Sequence, residues 1–89
     1  MPKTSEWFAR VGFTVWHTPG VSRAWRYEFA GGNYVLVTGL DGFDLPEWGG
    51  PYSSMLLTAA DQLIEHQEYL KSTRHLIYWF AHAARVTDR

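Results

Sequence analysis

Apolar and polar residues alternate through the first half of this chain and step by three and four through the second. From Trp7 to Trp16, the residues Trp7, Ala9, Val11, Phe13 and Val15 share one parity, and Phe8, Arg10, Gly12, Thr14 and Trp16 share the other. A period of two among Val, Phe, Thr and Trp predicts a half-buried strand. The Pro19-Gly20 pair then ends it in a turn. Arg23 to Phe29 alternates again, with Trp25, Tyr27 and Phe29 set against Ala24, Arg26 and Glu28. Gly31 and Gly32 follow, and both can take positive φ, so a hairpin is predicted into the third strand-forming run, Tyr34-Val35-Leu36-Val37-Thr38.

Gly39 to Pro51 reads as a loop longer than the usual connection. Phe43, Leu45 and Trp48 are placed to pin it to the body as an Ω-type loop. Tyr52 to Leu57 fits either a fourth strand or the first turns of a helix. Thr58-Ala59-Ala60-Asp61 has the form of a capping box, with Asp for the usual Glu, and a cap at Thr58 favours the strand. Beyond it, Ala60, Leu63, Gln67, Leu70, Arg74, Ile77, Ala81 and Ala84 share one helical face. Asp61, Glu65 and Glu68 come early and Lys71, Arg74 and His75 late, which suits a helix dipole. Ser72-Thr73 are the weakest helix formers of the run. Leu76 to Phe80 has a strand as its alternative, because periodicity does not settle a short apolar run. The expected fold is α+β: an antiparallel three- to four-stranded meander followed by a long C-terminal helix, kinked near Ser72-Thr73 and packed on one face. One domain spans residues 1–89, β-rich over 6–57 and helical over 58–86.

Composition sharpens this division. All eight glycines and four prolines lie at or before Pro51, so residues 52–89 lack the main interrupters of helix. A chain of 89 residues is one domain at most. It carries five each of Trp, Tyr and Phe, more than so small a core needs, which places some aromatics on a contact surface. The net charge of −1 argues against a general polyanion binder. With no cysteine there is no disulfide framework and no thiolate metal site. Neither an apolar leader nor a membrane-length apolar run is evident, so the expectation is a cytoplasmic protein with no membrane partner.

Candidate chemistry is sparse. His75 and His82 share a helical face but are separated by about 10.5 Å of rise, too far to hold one ion. His66 would point the other way, and His17 would sit in a turn. There is no H-E-x-x-H, no P-loop and no G-x-G-x-x-G. Asp41, Asp44 and Glu47 are spaced by three rather than alternating as in an EF-hand. No cysteine and no G-x-S-x-G supplies a nucleophile. No catalytic residue, metal or cofactor is therefore assigned. Arg23-Ala24-Trp25-Arg26-Tyr27 interleaves basic and aromatic residues, as platforms for single-stranded nucleic acid do. Alternation, however, sends Arg26 to one face and Trp25 and Tyr27 to the other, so nucleic acid is not the favoured partner.

The stretch Leu76 to Ala84 is apolar around nearly the whole helix, and one small sheet covers only one side of it. The other side calls for the 39–51 loop, a second copy or another protein. Leu76, Tyr78, Trp79, Phe80 and Ala83 are the candidate interface anchors; Asp44, Glu47 and Trp48 form a candidate second contact surface. The expected function is a non-catalytic protein–protein interaction protein that forms a homodimer through this helix and also meets a heterologous protein partner. In length, lack of cysteine and aromatic density the chain resembles the small proteins of phages and mobile elements, anti-CRISPR-type inhibitors among them, a likeness carried by no particular residue. That likeness implies an inhibitor or adaptor of a larger complex. The alternatives are a small-ligand or nucleic-acid-binding module using the sheet face and the 39–51 loop, and a small enzyme with His and carboxylate chemistry.

Overall fold

The computed structural model describes residues 4–18, 22–42, 44–47 and 49–87. The element order is α1 (Thr4–Val11), β1 (Thr14–Thr18), β2 (Ser22–Glu28), β3 (Tyr34–Thr38), β4 (Tyr52–Leu57), β5 (Leu63–Leu70) and α2 (Thr73–Thr87). The five strands form one antiparallel meander in the order β1-β2-β3-β4-β5. The α+β class holds, with five strands where three to four were expected.

Registers assign the two faces. Trp25 lies opposite Val37, Tyr27 opposite Val35, Val35 opposite Leu56 and Val37 opposite Ser54. This face forms the core with Phe8 of α1 and Leu76, Trp79 and Ala83 of α2, so both helices cover the same side. The other face carries Trp16 opposite Ala24, Leu36 opposite Met55, and Met55 opposite His66. All of β3 is buried on both sides, as befits the central strand.

Two predicted elements are corrected. The strand from Trp7 to Trp16 is instead a helix, a stop and a shorter strand. Trp7, Phe8 and Val11 lie three and four residues apart on one side of α1, and Phe8, which alternation would have sent outward with Arg10, is fully buried. Its ring stacks on Trp25 at 5.0 Å and 3°. Gly12 ends the helix with φ 118, and the amides of Gly12 and Phe13 both donate to the Phe8 carbonyl. A Cβ there would meet the Tyr27 ring at 3.1 Å.

The expected helical span 58–86 begins only at Thr73. Its first part is a hairpin loop and then β5. Thr58 Oγ1 accepts hydrogen bonds from the Ala60 and Gln62 amides at 3.2 and 3.1 Å, while the Thr58 amide donates to the Gln62 carbonyl at 2.8 Å. Asp61 sits in the left-handed region at φ 66 and accepts from the Tyr34 hydroxyl at 2.6 Å. A threonine oxygen gathering amides serves a reversing chain as well as a helix. The residues of β5 have fair helix propensity, but β4 needs a partner on its outer side, and tertiary pairing overrides propensity. The break at Ser72-Thr73 is the junction of strand and helix: Ser72 Oγ accepts from the His75 amide at 3.4 Å and its carbonyl from the Leu76 amide at 3.0 Å. Leu76 to Phe80 is helical.

Candidate functional site

The open face of the sheet is hollow. A cavity of about 520 Å³ lies there, bounded by Trp16 of β1, Leu36 of β3, Met55 of β4, His66 and Glu68 of β5, and residues 40–42 of the loop that follows β3. Strand alternation accounts for it. Residues of one parity from all five strands project to this side, and among the described residues no helix covers them. Ala24 and Leu36 are small or buried and form the floor, whereas Trp16 is 41% exposed and Leu40 50% exposed at the rim. Ser53 Oγ and His66 Nε2 stand 3.4 Å apart at the β4–β5 side.

At the end away from the loop, the same face is closed by polar contacts. The Arg26 guanidinium lies 4.4 Å from the Tyr34 ring centroid and bonds Glu28 at 3.0 Å. Burial, and next the hydrogen bond to Asp61, push the Tyr34 hydroxyl above its ordinary pKa, so it remains a donor. Arg26 is thus paired on the open face, and Trp25 is buried on the helix side.

The 39–51 loop is tied down at several points. Asp44 Oδ1 accepts from the Leu45 amide at 2.7 Å and from Arg23 Nε at 2.8 Å. The backbone bond first, and Arg23 next, hold the Asp44 carboxyl below the usual carboxylate range. Leu45 packs on the core, Pro46 is buried, and the Tyr52 hydroxyl accepts from the Gly49 amide at 3.1 Å and shares a bond with Thr73. Phe43 and Trp48 lie outside the described residues, as does the Pro19-Gly20 turn. Asp44 and Glu47 border a second hollow of about 360 Å³ formed within the loop itself. Of the second contact surface expected from sequence, Asp44 is thus engaged by Arg23, and Glu47 is exposed.

The five expected anchors of α2 separate. Leu76, Trp79 and Ala83 are buried in this chain's own core, at 1%, 6% and 0% exposure, and present no surface to a partner. Phe80 is half-buried among Phe13, Tyr27 and Phe29, with ring centroids 5.2, 5.1 and 5.8 Å away. Only Tyr78 stands clear, 65% exposed, beside Ile77. The all-round apolar helix is therefore covered on one side by the sheet and on a second by an aromatic cluster built from the β1–β3 region, a contact that helical periodicity alone does not reveal.

Sequence reading missed Trp16, Met55, His66 and Glu68 as neighbours. The signal that could have joined them is β5: once Leu63–Leu70 is a strand, His66 falls beside Met55. Among the described residues no three His, Asp or Glu side chains gather as a metal-ligating group, and no helix is long and apolar enough to cross a membrane. No protein-family model matches the chain, and neither the curated proteins nor the solved structures contain a match.

Proposed function

We propose that this protein is a small non-catalytic binding module that holds a small-molecule ligand on the open face of its sheet. The observation carrying this reading is the hollow of about 520 Å³ between Trp16 and His66. Its size falls within the roughly 300–1,000 Å³ of ligand pockets, and its makeup is the usual one, an apolar floor with a few convergent polar groups. Ala24 and Leu36 supply the floor, Met55 an apolar side, Trp16 an aromatic wall, and Ser53, His66 and Glu68 the hydrogen-bonding side. Glu68 and Asp41 on the lining favour a neutral or cationic head group over a phosphate, in keeping with the net charge of −1. The ligand class is thus a flat apolar body bearing an amine or similar donor.

Methyl and amide NMR spectra, recorded against a library of small aromatic amines and neutral heterocycles, test the reading. Ligands are expected to shift Met55, Leu36 and Trp16 together, and Leu36→Trp, which fills the hollow, should abolish those shifts in a folded protein. A library that moves none of these signals, or moves them equally in Leu36→Trp, overturns the proposal.

A further inference from the structure

We infer that a second copy of this chain pairs with the free edge of β5, making a two-fold dimer whose sheet runs continuously through both copies. Among the described residues β5 pairs on one side only, with β4. It is eight residues long and leaves Leu63, Ile64 and Tyr69 exposed at 56%, 43% and 60%. A long edge with apolar side chains is a template for another strand; against β4 this one carries an extra residue between Leu63 and Glu65 and another between Gln67 and Leu70, so its regular stretch is Glu65–Gln67, with Glu68 opening the second bulge. The opposite edge, β1, has five residues and no carboxylate to set against His17.

The charges of β5 select a register. In a two-fold antiparallel pair, the residue at the centre meets itself. Centred on Gln67, the pairing sets His66 opposite Glu68 of the second copy, twice over, and puts no two carboxylates face to face. Centring on Glu65 or Glu68 sets carboxylate against carboxylate, which is destabilising. Centring on His66 sets no histidine against a carboxylate. The strand is thus complementary to itself in one alignment, as an isologous interface requires.

The helix position agrees independently. α2 packs on both β4 and β5, and His82 Nε2 reaches Glu65 Oε1 at 3.3 Å, so α2 runs back along the edge strand. Tyr78, one turn before His82, shares the side of the helix that looks out over that edge. Strands lie about 4.8 Å apart, so a helix seated between β4 and β5 stands about 5 Å from the two-fold axis. The two α2 helices then come about 10 Å apart, a helix-packing distance, with Tyr78 between them. Tyr78, the one expected anchor that this chain leaves exposed, is covered by the same step that extends the sheet.

Sedimentation equilibrium over micromolar to millimolar protein, with circular dichroism to verify folding, tests the inference. The wild type is expected at twice its 10.3 kDa chain mass. His66→Glu, Ile64→Lys and Tyr78→Glu should each raise the dimer dissociation constant at least tenfold while remaining folded. Combining His66→Glu with Glu68→His should restore it, because the swapped pair still meets across the axis. A wild type that stays monomeric at millimolar concentration overturns the inference; so does a dimer indifferent to Ile64→Lys and Tyr78→Glu, or one the double swap fails to rescue. Ile64 and Tyr78 lie outside the lining of the open-face hollow, so ligand shifts at Met55 in those variants report on the binding reading separately.

Discussion

Ser54 faces the helices, is 1% exposed, and its hydroxyl meets no hydrogen-bond partner among the described residues; the indole nitrogens of Trp25 and Trp79 are in the same condition. A buried donor without a partner carries its full desolvation cost, whereas deleting it leaves only a small volume change. Ser54→Ala is therefore expected to be neutral to about 1 kcal/mol more stable, measured by urea denaturation. A loss above that size would mean that the hydroxyl is hydrogen-bonded in solution. At this scale much was legible in the sequence: parity set Trp25 on the face opposite Arg26, and Ser72 and Thr73 marked a real boundary. Phe8 was not legible, because its burial depends on a helical turn that alternation concealed.

Elements were legible where the pattern and the tertiary demand agree. β2 alternates, β3 is nearly all β-former, and β4, open between strand and helix by pattern, was favoured as a strand by the cap at Thr58; each lies between two neighbours. The two misread segments sit at the margins of the sheet. β5 is an edge strand with only Leu70 buried, so no alternating apolar face announces it. α1 is eight residues long, and its apolar positions satisfy both periods over so short a run. What distinguishes the readings there is Gly12, at φ 118 against the Tyr27 ring. Gly12→Ala imposes a conformation that L-residues avoid and a contact of 3.1 Å, and is expected to cost about 1–3 kcal/mol. Thermal unfolding followed by near-ultraviolet circular dichroism reads it through the Phe8–Trp25 stack; an unchanged midpoint would refute the role given to this glycine.

For the whole molecule, the division of α2 into an inward and an outward side is decisive. Leu76→Ala is expected to destabilise by about 2–5 kcal/mol because it opens a cavity in a core with few alternative contacts. Tyr78→Ala should change the stability of the isolated chain by under about 0.5 kcal/mol, since its ring lies in water. Chemical denaturation at micromolar concentration compares the two directly, and equal losses would contradict the division. The hollow on the open face was the least legible feature at this scale. It is assembled from all five strands and a loop, and only the strand order brings Trp16 and His66 to one surface.

The strand order also sets the sequence in which this protein can be assembled. Every strand pairs with the one made just before it, so all the hairpins but the one spanning the 39–51 loop close short loops and the sheet can grow from local contacts, which favours rapid folding. Burial does not keep the same order. Val35, Val37 and Leu56 gain their cover from Leu76, Trp79 and Ala83, far along the chain. During synthesis the hydrogen-bonded ladder can therefore exist before its apolar side has a roof. For that interval the nascent sheet exposes the surface that Trp79 will close, and this is when a chaperone would find most to hold.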